Sequence, residues 1–394
     1  MIKTKMNFYD KKIAVIGSTG SIGKQALDVC ERNNISVRAI SAGSNVKLLA
    51  EQVRRFRPAC CALADESLLG ELKILIADTG TKIYGGDHGI CEMIADTDAD
   101  TVLNSIIGGA GLLPTLAAIG SKKNVALANK ETLVTAGELV MRAVRETGVT
   151  LMPVDSEHCA IFECLMSGRH EEVSRIILTA SGGPFYGKKR EDLRSVTPEQ
   201  ALRHPTWSMG AKITIDSATM MNKCFEMIEA AYLFDLPINK IEPVIHRESI
   251  VHSMVEYADG AVIAQLALPD MRMCIQYALS YPDRFEGATP KMDFAKPFSL
   301  TFDRPDFETF GTLSLAEYVM SEGGVLPAVL NGVNDEAVKL FLDRKIGFLD
   351  IGDLAYRIVH TYENRAVKSA ADVVGAEMEA AMLVREIVGI KSDC

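Results

Sequence analysis

Asp155 and Glu157 stand one residue apart, directly after the apolar run 151–154. Side chains at i and i+2 of an extended segment point the same way, so two carboxylates at this spacing converge on one point beyond a strand. Hard divalent cations such as Mg2+ and Mn2+ take oxygen ligands of this kind and keep positions for water or substrate oxygens. The same acids also suit a helix start, with Asp155 as N-cap and Glu157 and Glu163 near the positive end of the dipole. A third carboxylate would complete the ligand set, and Glu226 offers one from an amphipathic helix expected over 216–233. Asn222 and Glu226 lie one turn apart there and address the same side. Taken alone, that polar face is a solvated one. Taken with Asp155 and Glu157, it adds Ser217, Asn222 and Lys223 as donors for a phosphate.

A second chemistry-bearing stretch is Gly17-Ser18-Thr19-Gly20-Ser21-Ile22-Gly23, placed between an apolar run and a helical pattern. Glycines let such a turn close tightly and let a pyrophosphate reach the backbone, while the helix N-terminus supplies N–H groups. The spacing is G-x-x-G-x-x-G, so its position after a strand argues more strongly than the motif itself. The next apolar run ends in Gly43-Ser44-Asn45, where an NAD enzyme places an acid for the ribose 2′-hydroxyl. None is present, and Ser44, Asn45 and Lys47 suit a 2′-phosphate instead, which favours NADPH. Asn129-Lys130-Glu131 falls at another strand end, where Lys130 can orient a substrate or nicotinamide; helix-start polarity also accounts for it. Ser181-Gly182-Gly183-Pro184-Phe185 is a turn whose hydroxyl and amides can cradle a phosphate, although such turns also serve as punctuation. The segment from His204 to Gly210 carries the only tryptophan, Trp207, and reads either as a lid that excludes water or as packing. His252 alternates with apolar residues and suits a core or interface histidine as well as a catalytic one.

These groups need elements to hold them. Apolar runs at 11–17, 35–42, 60–64, 101–105 and 124–128 alternate with helical stretches, the pattern of a parallel α/β sheet with ligands beyond the strand carboxyl ends. After Glu157 the pattern changes to strands at 175–179, 250–257 and 261–268, a second, mixed or antiparallel sheet. Residues 282–306 are rich in Pro, Asp and Phe and read as a linker, and 307–394 as a helical bundle. A chain of 394 residues exceeds a single core. The expected partition is 1–154 for the dinucleotide, 155–281 for catalysis, metal binding and dimerisation, then the linker and the helical domain. A net charge of −10 argues against gripping nucleic acid through its phosphates. Nine scattered cysteines without a Cys-x-x-Cys pair indicate reduced packing residues and a reducing, cytoplasmic setting. No apolar run is long enough for a membrane span, and Met1–Asp10 fits neither a signal nor a transit peptide.

Six blocks in order, Gly17–Gly23, Leu127–Thr132, Pro153–His158, Ser181–Phe185, His204–Gly210 and Ser217–Lys223, closely resemble the 1-deoxy-D-xylulose 5-phosphate reductoisomerase family. The resemblance runs from Lys11 through the helical tail. It implies an NADPH- and Mg2+- or Mn2+-dependent enzyme that rearranges and reduces 1-deoxy-D-xylulose 5-phosphate to 2-C-methyl-D-erythritol 4-phosphate in the non-mevalonate isoprenoid pathway. It implies Asp155, Glu157 and Glu226 as metal ligands. Substrate contacts carry over to Lys130, Ser156, Ser181, His204, Ser217, Asn222 and Lys223, with Trp207 on the lid. Cofactor contacts carry over to Thr19, Gly20, Ser21, Ile22, Gly43, Asn45, Asn129, Glu131 and Gly210. Ser44 stands where many members carry lysine, so the source of 2′-phosphate affinity differs here. The fold class expected is α/β: an N-terminal Rossmann-type domain, a central α+β catalytic domain with a mixed sheet, and a C-terminal helical bundle, in a homodimer. The competing readings are another NADPH-dependent reductase, of the homoserine or semialdehyde dehydrogenase kind, and a dinucleotide-sensing regulator.

Overall fold

A computed structural model describes residues 11–207 and 209–390. The Met1–Asp10 segment, Ser208 of the expected lid and Cys394 lie outside the described residues. The chain packs as two compact units. The first comprises Met1–Asn129, Arg142–Cys159 and Asp270–Lys291; the second comprises Lys130–Met141, Ala160–Pro269 and Met292–Cys394.

The first unit is built on seven parallel strands: β1 (Lys12–Ile16), β2 (Ser36–Ala42), β3 (Cys60–Leu63), β4 (Lys82–Gly85), β5 (Thr101–Asn104), β6 (Asn124–Leu127) and β7 (Leu151–Pro153). Their order across the sheet is β4-β3-β2-β1-β5-β6-β7. The chain moves outward from β1 in one direction as far as β4, then returns to its other side with β5. The strand order reverses beside β1, which is where doubly wound sheets leave a ligand crevice. The strands are short and apolar on both faces, as helix-covered parallel strands must be, with Ile13 through Ile16 fully buried. β4 carries Lys82 and Gly85 in only four residues, which hides it from an apolar-run reading. The helix Met271–Ser280 also packs in this unit. Arg272 pairs with Asp28 on the helix Ser21–Arg32, and Lys11 Nζ donates to the carbonyls of Leu279 and Tyr281 near the helix end.

The second unit holds a mixed sheet of β8 (Val173–Ala180), β9 (Ile241–Ile245), β10 (Val251–Tyr257) and β11 (Val262–Leu266), in the order β11-β10-β8-β9. β8 pairs parallel with β9 and antiparallel with β10. Four helices, Leu315–Glu322, Leu326–Leu342, Phe348–Thr361 and Ala370–Val388, form the helical tail. Gly332 allows its helix to approach the last one closely: a Cβ there would lie 2.4 Å from the Glu377 carbonyl oxygen.

One expected element is divided. Residues 216–233 belong to two helices, Ala211–Ala218 and Met221–Leu233, separated at Met220 by a left-handed φ of 61°. Thr312 Oγ1 donates to the buried carbonyl of Thr219 at 2.7 Å and takes up one broken helix end. The apolar periodicity runs across the break without a glycine or proline to mark it.

Candidate active site

In the first unit the glycine turn follows β1 and opens the helix Ser21–Arg32. Gly17 has a φ of 82°, and a Cβ on it would meet the Ser105 carbonyl oxygen at 2.9 Å. A Cβ on Gly23 would lie 2.3 Å from the Gly17 carbonyl oxygen and 2.5 Å from Ser18 Cα. Gly17 is therefore required by its positive φ and by packing against Ser105, and Gly23 by packing of the turn on itself. Gly20 is roomier, with a closest approach of 3.3 Å. Ser18 is buried beneath the turn: its hydroxyl donates to Gln52 Oε1 at 2.6 Å, and the Gln52 amide returns a bond to the Ser18 carbonyl at 2.9 Å. Thr19, Gly20, Ser21 and Ile22 make the more open tip, with the helix N-terminus behind them. That cradle, too tight for side chains and rich in backbone N–H groups, fits a dinucleotide pyrophosphate.

At the end of β2, Gly43, Ser44 and Asn45 are exposed, as is Lys47. Asn45 also has a local task, since its side chain accepts from Leu48 N as the N-cap of the helix Val46–Phe56. At the end of β6, Asn129 is buried and donates to the carbonyls of Ile106 and Gly108, which pins the loop after β5.

Asp155 follows β7 and is the cap of the next helix: its Oδ1 accepts from Glu157 N at 3.0 Å and from His158 N at 3.3 Å. Glu157 thus sits on the first helical turn, and the i, i+2 rule for extended chain does not apply. The helix-start and ligand readings are compatible, because a carboxylate that caps a helix can also bind a cation. The buried His158 has Nδ1 at 3.0 Å from Asp155 Oδ1. Ser156 donates a short bond to Glu157.

In the second unit Glu226 lies on the helix Met221–Leu233, and the expected solvated face is in fact buried. The side chains of Glu226 and Glu229 are 2% exposed, Lys223 4% and Lys130 9%. Lys223 Nζ pairs with Glu226 and also donates to the Thr179 carbonyl at the end of β8. Lys130 Nζ stands 3.4 Å from a carboxylate oxygen of each glutamate, and Asn222 donates to Glu226 at 2.5 Å. Buried charges persist only when paired, and two lysines here balance two glutamates. Gly137 brings the Lys130 helix close enough, since a Cβ there would strike the Tyr232 ring at 2.2 Å. Glu229 was no candidate from sequence; its position three residues after Glu226 is the one signal that could have found it.

β8 runs into the turn Ser181–Gly183. Gly183 has a φ of 63°, and a Cβ on it would lie 2.7 Å from the Ser217 carbonyl oxygen, so Ser217 and the turn are neighbours. His204 Nδ1 accepts from the backbone N–H of Thr206 at 3.2 Å and of Trp207 at 2.9 Å. The imidazole proton therefore resides on Nε2, which donates to Ser181 Oγ at 3.0 Å. Burial, with the Arg247 charge adding to it, pushes the His204 pKa down to about 4, so the ring is a neutral donor. Ser181 Oγ accepts a second bond from Gly183 N at 3.3 Å, which leaves its own proton for an acceptor. Such a set of donors fits an oxyanion. Trp207 is half-buried with its ring 6.4 Å from that of the buried His252.

Lys212, near the start of the helix carrying Ser217, is a separate hub. Its Nζ lies 2.8 Å from Asp216, 3.1 Å from Asp335 and 3.4 Å from Glu131. Burial opposes its charge, but Asp216, Asp335 and Glu131 outweigh burial and hold its pKa well above the ordinary value. Glu131 is thereby tied to the helical tail, as is Asp216 through Asn334 at 2.8 Å.

The eight cysteines among the described residues are free thiols. Burial pushes Cys30, Cys61 and Cys164 up to about 12 and raises Cys60, Cys91 and Cys224 as well. A semialdehyde dehydrogenase needs an activated thiolate, and none of these six supplies it.

A glycine cradle at the reversal point of a parallel sheet, joined in one chain to buried lysines and an oxyanion-seeking turn, defines a dinucleotide-dependent oxidoreductase acting on an anionic substrate. A family model described as 1-deoxy-D-xylulose 5-phosphate reductoisomerase matches residues 13–137. Two models of that enzyme's C-terminal domains match 151–234 and 266–383. The reductoisomerase of Acetivibrio thermocellus is 50% identical over 377 residues, which cover 96% of this chain and 99% of the relative. That of Lachnospira eligens is 51% identical over 345 residues, covering 87% and 91%. The Zymomonas mobilis enzyme solved with NADPH superposes with a TM-score of 0.91 at 44% identity, covering 96% of this chain and 99% of that one. A reductoisomerase solved with NADPH, fosmidomycin and magnesium gives 0.90 at 35% identity, covering 96% and 98%. The chain belongs to the 1-deoxy-D-xylulose 5-phosphate reductoisomerase family and is an enzyme of that class.

Proposed function

We propose that Asp155, Glu157 and Glu226 hold the divalent ion, Mg2+ or Mn2+, with which this chain and NADPH convert 1-deoxy-D-xylulose 5-phosphate to 2-C-methyl-D-erythritol 4-phosphate. Three carboxylates and no sulfur or imidazole form the donor set of a hard cation. When bound, the ion supplies Lewis-acid stabilisation of the substrate's ketone and neighbouring hydroxyl oxygens, and NADPH supplies the hydride that reduces the rearranged aldehyde. The chain's own groups bind and orient. Thr19, Gly20, Ser21 and Ile22 receive the pyrophosphate on backbone amides. Gly43, Ser44 and Asn45 meet the adenine ribose, and Asn129, Glu131 and Gly210 complete the cofactor contacts.

Ser181, Ser217, Asn222 and Lys223 hold the phosphate, with His204 donating from Nε2 beside Ser181. Phosphate binding far from the reacting carbons supplies energy for closing the loop that carries Trp207. Lys130 and Ser156 address the reacting end. Lys130 and Lys223 pair with the buried Glu226, and their transfer to substrate oxygens would release that carboxylate to a cation. The observation that carries this reading is the buried Glu226 carboxyl contacted by two lysines and an amide. We further place the enzyme in the cytoplasm as a homodimer formed through the mixed sheet, whose outer strand β11 exposes Val262 and Ile263. Among the described residues no helix is long and apolar enough to cross a membrane.

The test is NADPH oxidation with deoxyxylulose phosphate, run with Mn2+ and with chelator, for the wild type and Glu226→Gln. Activity that requires the metal and drops by about a hundredfold or more in Glu226→Gln supports the assignment, two to three kcal/mol being what one displaced charged contact is worth. Near-normal turnover of the variant contradicts it.

A further inference from the structure

The turn after β8 places two glycines in succession at positive φ, 77° at Gly182 and 63° at Gly183. Two such residues leave the peptide planes free to face several ways, so the sequence of the turn does not by itself fix where its amides point. Arg247, two residues beyond the end of β9, fixes them. Its Nη1 donates to the Ser181 carbonyl at 2.8 Å and to the Gly183 carbonyl at 2.9 Å. A trans peptide carries its N–H opposite its C=O. With the Ser181 carbonyl turned toward the guanidinium, the Gly182 N–H is turned away from it.

The guanidinium is itself held from outside the turn. It lies over the Tyr186 ring at 4.9 Å, and the Tyr186 hydroxyl donates to Asp303 at 2.6 Å. Asp303 exchanges both backbone bonds with Ile245, the last residue of β9, each at 2.9 Å. The contacts close a ring from the strand end through Asp303, Tyr186 and Arg247 to the turn. Arg247 also acts on His204 through its charge, which helps to keep that imidazole in its neutral, donating form.

We infer that Arg247 is a positioning residue for recognition of the substrate's phosphate: it sets the peptide orientation of Ser181–Gly183 and adds a cation to the field at that end. The inference rests on the assignment of Ser181 to the phosphate. Arg247 touches the turn and not the reacting carbons, so its loss falls mainly on substrate affinity, with kcat lowered only to the extent that phosphate binding drives closure of the loop.

The test compares Arg247→Gln, Arg247→Lys, Tyr186→Phe and Ser181→Ala in the full-length enzyme with NADPH and metal saturating. Arg247→Gln is expected to raise KM for deoxyxylulose phosphate about tenfold, the loss of one charge-assisted contact, with kcat within about twofold. Inorganic phosphate as a competitive inhibitor should weaken by the same factor. Arg247→Lys, which keeps charge and donors, should recover most of the loss. Should Arg247→Gln fail to fold, Tyr186→Phe reports in its place through a smaller rise in KM. An unchanged KM in Arg247→Gln, or in Tyr186→Phe where that stands in, alongside a raised KM in Ser181→Ala overturns the role of Arg247 alone. An unchanged KM in Ser181→Ala overturns the phosphate assignment beneath it. Equal losses in kcat and kcat/KM would make Arg247 part of the chemistry and so refute the inference.

Discussion

Gly23→Ala should separate the dinucleotide cradle from ordinary helix packing. The new Cβ would sit 2.3 Å from the Gly17 carbonyl oxygen and 2.5 Å from Ser18 Cα, and ordinary contact begins at 3.4 Å. Both obstacles are backbone, so the turn must move by the difference, about 1.1 Å, because no side chain can swing aside. An N–H···O bond of about 2.9 Å does not survive such a displacement. Losing one amide bond to a charged pyrophosphate costs about 1.5–3 kcal/mol, so NADPH affinity should fall roughly ten- to 150-fold. Gly20→Ala is the control, because its nearest obstacle stands at 3.3 Å and a few tenths of an ångström relieve it. Quenching of NADPH fluorescence measures both variants, and thermal unfolding reports folded-state damage of about 1–3 kcal/mol from overpacking. Equal affinity in Gly23→Ala and the wild type would refute the reasoning, as would equal damage from the two substitutions.

Three further outcomes follow from the second unit. Lys212→Met should destabilise the protein by about 3 kcal/mol, because Asp216, Asp335 and Glu131 then lose the cation they share; chemical denaturation measures it, and a loss below about 1 kcal/mol would count against the hub. Burial, with Asp335 and Glu131 adding to it, raises the Glu377 pKa from 4.5 to about 7. A carboxyl raised on folding favours the folded state below its unfolded pKa and loses that advantage as pH rises through the folded one. Stability should therefore decline by roughly 2–3 kcal/mol between pH 4.5 and 7, and Glu377→Gln should flatten the decline. His204 runs the other way, since a histidine depressed from 6.5 to about 4 withdraws its contribution as pH falls through that interval. Its imidazole 15N signals should show a neutral Nε2–H ring at pH 6, and titration near 6.5 would contradict the hydrogen-bond assignment.

Much of this molecule is legible along the chain because the responsible physics is local. Alternation of apolar runs with helical periodicity announces the parallel sheet. The glycines at 17 and 23 announce a turn that no side chain can enter, and the cysteine pattern announces packing residues, of which eight are free thiols. The residue types at Asp155, Glu157 and Glu226 are what motivates the proposed hard-cation site. Local physics also sets the limits of such reading. Lys82–Gly85 is too short and too polar at its ends to read as a strand. The polar stripe of Asn222, Lys223, Glu226 and Glu229 has the same periodicity whether it faces water or a lysine from another helix. Only packing shows that Lys130, nearly a hundred residues away, meets it.

What tertiary structure alone decided is where charges found their partners and where backbone took an unfavoured turn. Met220 adopts a left-handed conformation with no sequence mark, because the chain around it, including Thr312, holds the break in place. Arg247 reaches the Ser181–Gly183 turn from just beyond the adjoining end of β9, some sixty residues on in the chain, and Lys212 collects three acids from three segments. Composition and spacing state which groups a chain owns and how each short segment bends. Pairing energy depends on distance in space, and distances between residues far apart in sequence exist only once the whole chain has packed.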